Sequence, residues 1–420
     1  MSTLKQAIEY MEQGQVEEGL EILAAHAKNG TDEEKYEVAR YYYQFGFVDQ
    51  AFPIMYDLHL LYPEESEITL FLAELYIDLD KEDEAIEVLN EVKEEDDLYV
   101  QALLLLADLY QMQGFDEVAE QKLLKAKELL PEEPVITFGL GEFYSSKGDY
   151  AEAVPHYQAL LPDETEMGGV SIALRLAESL SSLGQWEEAL RYYEMGLQEH
   201  KDIHSLFGYA FTLYQTEHYQ RAIEPFLELK ELDPEYTSLY IYLAQCYDKE
   251  GMLRESLDTL KEGLKTDDFS ADLHVRTAEA AAKLGNITEA EELLRQALVL
   301  DPSHLDAALQ IIHLLKQQEK YEDIIEIVEI AMENGEDDPQ LLWDIAQAKK
   351  QLEMYSDALK HYREAYTCFK DDPVFLEEYG YFLLEEGLRQ EAKDVFTRLL
   401  QQDPSQLQIE ELLFNLEDLS

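Results

Sequence analysis

A chain of 420 residues exceeds the size at which one globular core stops growing, so it folds either as several domains or as an elongated repeat array. Its residues are 46% hydrophobic and 29% charged with only 19 Gly and 12 Pro, enough for a core but too little turn material for an all-β fold. Asp and Glu number 91 against 32 Lys and Arg, a formal charge of -59, and a field of that sign repels nucleic-acid phosphates and anionic lipid headgroups alike.

Leu, Ala, Glu and Lys fill most segments and period-two runs of β-branched residues are missing, so helices and essentially no sheet are expected. The chain opens on a helical segment with Met1, Leu4, Ile8 and Met11 on one face. So apolar an end is expected to lie exposed and to offer a surface for self-association. A 34-residue period then sets in, with units beginning at Asp32, Ser66, Val100 and Pro134. Tyr99–Pro131 reads YVQALLLLADLYQMQGFDEVAEQKLLKAKELLP, with Ala107, Tyr110, Gly114, Ala119, Leu123, Ala126 and Pro131 as landmarks. Gly141, Tyr144, Gly148, Tyr150, Ala153 and Tyr157 occupy comparable places one period later.

The next start is delayed by Pro162–Gly169, where a proline and a Gly-Gly pair interrupt helical continuity. Residues 162–169 are the expected hinge between an N-terminal array, 1–161, and a C-terminal array, 170–404. Later units begin at Val170, Ile203, Thr237, Ala271, Leu305, Pro339 and Pro373, twelve in all with the N-terminal one. Residues 405–420 have room for one more helix, within Gln406–Leu419, expected to cap the twelfth unit.

With the slots of each unit numbered from its start, two columns of small residues stand out. Slot 8 is Ala or Gly in every unit except the one carrying Ile312. Slot 20 is Ala throughout except for Gly19, Ser256 and Ile324. Two helices can approach closely only where both surfaces are small. Gly recurs between the helices of a unit (Gly14, Gly46, Gly114, Gly148, Gly184, Gly251, Gly285, Gly387), and Pro recurs between units (Pro63, Pro131, Pro234, Pro302, Pro404). These columns and this punctuation resemble the tetratricopeptide repeat (TPR) family, and the absence of an appended domain resembles the TPR-only proteins of Bacillus-type bacteria.

The resemblance implies an all-α TPR α-solenoid, a right-handed superhelix of about twelve helix-turn-helix repeats with a C-terminal capping helix. It also implies that the first helix of each unit, helix A, lines a concave face into which slots 2, 5, 9 and 12 point. Slot 9 is acidic in four successive units, Glu74, Asp108, Glu142 and Glu178, and slots 2, 5, 9 and 12 elsewhere hold Tyr36, Tyr43, Phe138, Phe207, Phe211, Tyr214, Trp343 and Tyr381. The expected partner-binding residues are Glu74, Asp108, Glu142, Glu178, Phe207, Phe211, Tyr214, Tyr36, Tyr43 and Trp343. Phe207, Phe211 and Tyr214 form the expected anchor pocket.

Residues that would carry chemistry do not assemble into motifs. Gly139 and Gly141 lie within a helix and lack the third glycine of a phosphate-binding loop. Asp78, Asp80 and Asp83 lack the glycine and terminal glutamate of a calcium loop. His200 and His204 have no third zinc ligand nearby in sequence, and are read as solvated surface residues. Cys246 and Cys368 form no C-x-x-C pair and are expected to pack as small apolar side chains. No secretory signal and no run of apolar residues long enough to span a bilayer is present, so a cytoplasmic protein without membrane insertion is expected.

The function expected is a non-catalytic scaffold or adaptor with no cofactor and no metal, whose partner is another protein or peptide, basic in character with an apolar anchor, and not nucleic acid. A peptide-responsive regulatory TPR protein is the alternative within binding proteins. An enzyme with an unrecognised site is the alternative of another class.

Overall fold

The computed structural model describes residues 2–418, and the described residues form twenty-five helices and a single pair of two-residue strands. Helix A begins at the expected unit start at Asp32, Ser66, Pro134, Ile203, Ala271, Leu305, Pro339 and Pro373; at Tyr99 and Ser238 it is displaced by one residue, and at Ile172 by two. Consecutive helices pack on one another as hairpins, and hairpins pack on their neighbours, within residues 2–196 and within residues 219–418. The fold is an all-α TPR solenoid. It divides into two compact units, Met1–Ser205 and Leu206–Ser420.

The small-residue columns are where the helices touch. Ala39, Ala73, Ala177, Ala210 and Ala346 of slot 8 and Ala51, Ala85, Ala119, Ala153, Ala189, Ala222, Ala290, Ala358 and Ala392 of slot 20 are all 0% exposed. Gly141 shows why slot 8 is small: a Cβ there would lie 2.7 Å from Tyr157 Cε1, and Tyr157 is itself fully buried. Each hairpin leaves apolar surface that only the next hairpin covers, so the core runs through successive repeats.

Every predicted turn glycine adopts the left-handed conformation, from Gly14 at φ 79 to Gly387 at φ 75. Where the column lacks glycine, Asp80, Glu217, Glu319 and Glu353 take the same conformation, with φ between 55 and 60. A side chain with a Cβ pays a steric penalty there, so Glu353→Gly is expected to stabilise the fold by about 1 kcal/mol, measured by chemical denaturation. Equal or lower stability would show that the Glu353 side chain compensates the strain.

Residues 162–169 contain a tight turn. Glu166–Met167 pairs antiparallel with Val170–Ser171, and Gly168 (φ 58) and Gly169 (φ 81) close the loop. Pro162, Asp163, Gly168 and Gly169 are exposed. Limited proteolysis is therefore expected to cut first within 162–169 and leave two folded fragments. First cleavage beside Ser205 would instead assign the weak point to the boundary between the two compact units.

The N-terminal apolar face is turned inward. Leu4 is 6% exposed and Met11 7%, Ile8 is half-buried, and Met1 lies outside the described residues. Gly19, in the slot-20 column, makes room: a Cβ on it would sit 2.7 Å from Met11 Sδ. At the other end, helix Leu407–Asp418 covers the last hairpin with Ile409, buried, and Leu412 and Leu413, partly buried. Leu419, included in the expected cap, lies outside the described residues. Cys246 is buried as expected, whereas Cys368, on helix Tyr355–Phe369, is exposed and does not pack as a core residue.

Candidate protein-binding cleft

Helices Asp32–Gln44, Ser66–Asp78 and Tyr99–Met112 are helix A of the second, third and fourth repeats. The first is opened by a capping box in which Thr31 accepts from the Glu34 N–H and Glu34 accepts from the Thr31 N–H. Before the third helix the chain is steered by Asp96, whose carboxylate accepts from the Leu98 N–H at 2.8 Å and from the Ser66 hydroxyl at 2.7 Å. Between these helices lies an open cleft of about 940 Å³, with Tyr36, Arg40, Tyr43, Phe71, Glu74 and Gln101 in its lining.

Three of the expected partner-binding residues, Tyr36, Tyr43 and Glu74, are thus brought into one cavity. The Phe71 ring organises it, meeting Tyr43 edge-on at 5.3 Å and Tyr36 at 6.1 Å between centroids. Tyr36 donates to Glu67 Oε1 at 2.9 Å, and burial together with that carboxylate pushes its pKa up to about 12. Tyr43 is pushed up to about 12 by burial and by Asp78. The lining carries Glu37, Glu67 and Glu74 against Arg40, which pairs with Glu37 at 3.4 Å. Glu74 is held above the ordinary carboxylate range by desolvation first and by Asp78 second. Its charge is poorly solvated.

Asp108 lies two turns beyond Gln101 on the same helix, exposed to solvent yet with its pKa raised by desolvation. Glu142 and Glu178 are engaged differently. Arg175 lies between them, with Nε 3.2 Å from Glu142 and Nη1 3.1 Å from Glu178, and Glu142 also accepts from the Tyr157 hydroxyl at 2.6 Å. The four slot-9 carboxylates therefore differ: Glu142 and Glu178 share Arg175, whereas Glu74 and Asp108 are partly desolvated.

Phe207, Phe211 and Tyr214 come together as expected, but around a fourth ring. Tyr242 of the next repeat lies 5.9, 5.1 and 5.4 Å from them in turn. All three are half-buried in this ring cluster, which Phe226 and Tyr236 extend. Trp343 stands apart from them, packed on Phe369 at 5.2 Å and Phe375 at 5.1 Å and donating from Nε1 to Glu378 at 3.2 Å.

Phe71, Arg175, Tyr242 and Glu378 were absent from the expected set, and all four occupy slot 6 of their repeats. Slot 6 follows slot 2 and precedes slot 9 by one helical turn, so it belongs to the same face. The signal was available in the 34-residue register, as a column outside the four slots considered.

Among the described residues no helix is long and apolar enough to cross a membrane. A family model described as "YpiA-like, C-terminal tetratricopeptide repeats" matches residues 339–406, and one described as "YpiA-like, tetratricopeptide repeats" matches 111–165. General tetratricopeptide repeat models match 43–109, 172–202 and 243–304. The chain is 42% identical over 419 residues to the TPR repeat-containing protein YpiA of Bacillus subtilis (strain 168), covering 100% of this chain and 99% of that protein. Among solved structures, YrrB, described as a TPR protein with an unusual peptide-binding site, is 21% identical, covers 44% of this chain and 95% of its own, and superposes with a TM-score of 0.40. The Cut9–Hcn1 hetero-tetramer is 12% identical over 98% of this chain and 95% of that chain, with a TM-score of 0.38. Repeat register, helix pairing and full-length identity agree: the chain belongs to the YpiA-like family of tetratricopeptide repeat proteins.

Proposed function

We propose that this protein is a non-catalytic scaffold that binds another protein or peptide, its N-terminal unit receiving a basic segment with an aromatic or apolar anchor in the cleft of Tyr36, Tyr43 and Glu74. The observation that carries the reading is the open cleft itself, in which a partly desolvated carboxylate stands beside aromatic rings. A lysine or arginine from a partner offsets the desolvation of Glu74, and an apolar side chain covers the faces of Tyr43 and Phe71. The ring cluster around Tyr242 is already packed ring against ring, so the anchor is assigned to the cleft instead.

Selection of displayed random peptides against the full chain tests this. Enriched peptides are expected to combine Lys or Arg with an aromatic residue. Glu74→Lys should weaken them about tenfold, mainly through slower association and with a smaller salt dependence. Tyr43→Ala should act through faster dissociation. Affinity should also fall with pH from a point above 4.5, the ordinary glutamate value, because Glu74 takes up its proton earlier than a solvated glutamate and its charge is lost. Peptides that bind Glu74→Lys and Tyr43→Ala as tightly as the parent chain would place the contact elsewhere.

A further inference from the structure

Slot 9 of one repeat repeatedly meets slot 6 of the next. Glu142 meets Arg175 at 3.2 Å, Glu279 accepts from Gln310 at 2.8 Å, and Gln347 donates to Glu378 at 2.6 Å. The arginines at slot 6 also reach the slot-9 carboxylate of their own repeat, Arg175 to Glu178 at 3.1 Å and Arg276 to Glu279 at 3.4 Å. The fork of Arg175 thereby spans two successive slot-9 carboxylates.

Glu74 and Asp108 hold the same two places one repeat apart, and the slot-6 residue between them, in the place of Arg175, is Leu105. The slot 6 that follows Asp108 is Gly139, which has no side chain. Neither residue can serve a carboxylate as Arg175 does. Among the described residues neither Glu74 nor Asp108 forms an ion pair, and desolvation by the surrounding protein raises both pKa values, so water replaces the missing cation only in part. The lining of the cleft sets Glu37, Glu67 and Glu74 against one cation, Arg40, which Glu37 already engages. The local charge is negative and selects a cation.

We propose that the partner segment supplies an arginine whose guanidinium lies over Leu105 and bridges Glu74 and Asp108, as Arg175 bridges Glu142 and Glu178 two repeats on. This rests on the cleft reading above and adds to it the identity of the basic residue and a second carboxylate, Asp108. Arginine is selected over lysine because its planar fork offers separate N–H groups to two carboxylates at once, whereas an ammonium is a compact, more strongly hydrated charge. The weakly hydrated guanidinium also tolerates the apolar Leu105 beneath it.

The test is calorimetric titration of the full-length chain with a terminally blocked peptide in which two arginines flank a phenylalanine, and with the same peptide carrying lysine or citrulline in place of arginine. The arginine peptide should bind saturably. The lysine peptide, of equal charge, should bind about fivefold more weakly, the difference of one hydrogen bond, and the neutral citrulline peptide should not bind. Asp108→Asn should weaken the arginine peptide about tenfold and bring it level with the lysine peptide. Leu105→Arg sets the chain's own arginine between the two carboxylates and should block the arginine peptide. Leu105→Met should not, nor should Phe269→Arg, which makes the same charge change at an exposed position of the other unit. Asp108 is exposed, so Asp108→Asn keeps the fold and tests the bridge even where Leu105→Arg does not fold, which circular dichroism reads. Failure of the arginine peptide to bind overturns the proposal, as does equal binding of the arginine and lysine peptides, or undiminished binding to Asp108→Asn or to folded Leu105→Arg. If Glu74→Lys weakens binding while Asp108→Asn does not, the cleft reading stands and the bridging arginine falls; if neither weakens it, both fall.

Discussion

Tyr362→Ala is expected to lower the stability of the C-terminal unit by about 3–5 kcal/mol, the cost of emptying a large aromatic site that cannot collapse. Tyr362 is fully buried, with Phe382 4.8 Å, Tyr379 5.5 Å and Phe375 6.2 Å away between ring centroids. Its hydroxyl donates to Glu378, and burial followed by that carboxylate pushes its pKa well above the ordinary tyrosine value. Tyr362→Phe keeps the ring and removes the bond, so it should cost about 2 kcal/mol. Trp343 fluorescence during denaturation is the suitable readout, because Trp343 donates to the same Glu378 and packs on Phe375. Similar losses in the two variants would mean that the hydroxyl, and not the ring packing, holds this part of the array together.

Lys349→Leu combined with His361→Leu is expected to raise stability by about 1–4 kcal/mol, because well-packed apolar side chains often outperform a buried charge cluster of similar volume. Lys349 occupies slot 11, which in the other repeats holds tyrosine or leucine apart from Ala281, and it is 7% exposed. Its ammonium lies 3.2 Å from Glu329 and 3.3 Å from His361 Nε2. His361 is held below its ordinary value of 6.5 by desolvation and by Lys349, against the opposing pull of Glu364. A histidine with a depressed folded-state pKa stabilises the fold above 6.5, and that contribution is lost as pH falls from 6.5 through the folded value. The double variant should lose this pH dependence while gaining stability, as read from denaturation curves between pH 7 and about 5. Lys349→Ala alone should destabilise, since it leaves a cavity and removes the donor to His361 Nε2. A double variant less stable than the parent would show that the cluster contributes net stability.

The repeat fold was legible because its cause is local and periodic. Ala or Gly at slots 8 and 20 marks the helix contact, and Gly at the turn marks the left-handed residue, so the helix starts could be placed to within two residues. The turn column also shows the limit of residue type as a signal: Asp80, Glu217, Glu319 and Glu353 adopt the same backbone without being glycine. Tertiary packing imposes it there. The face that lines the cleft was legible in part, since Tyr36, Tyr43 and Glu74 were expected there, but Phe71 was passed over because only four slots of the face were considered.

Sequence alone determined the fold class, the repeat register and the family, because each rests on residue type at a fixed spacing, and spacing survives without coordinates. Which carboxylates are free and which are paired was decided by tertiary structure. Glu74 and Glu142 occupy the same slot with the same side chain, yet one lines an open cleft and the other meets Arg175 from the following repeat. The difference comes from what the neighbouring repeat places at slot 6, and whether that side chain reaches across depends on how two hairpins stack. The inward turn of Leu4 and Met11 has the same origin: an apolar helical face reads alike whether solvent or a second helix covers it, and the glycine across the hairpin decides which.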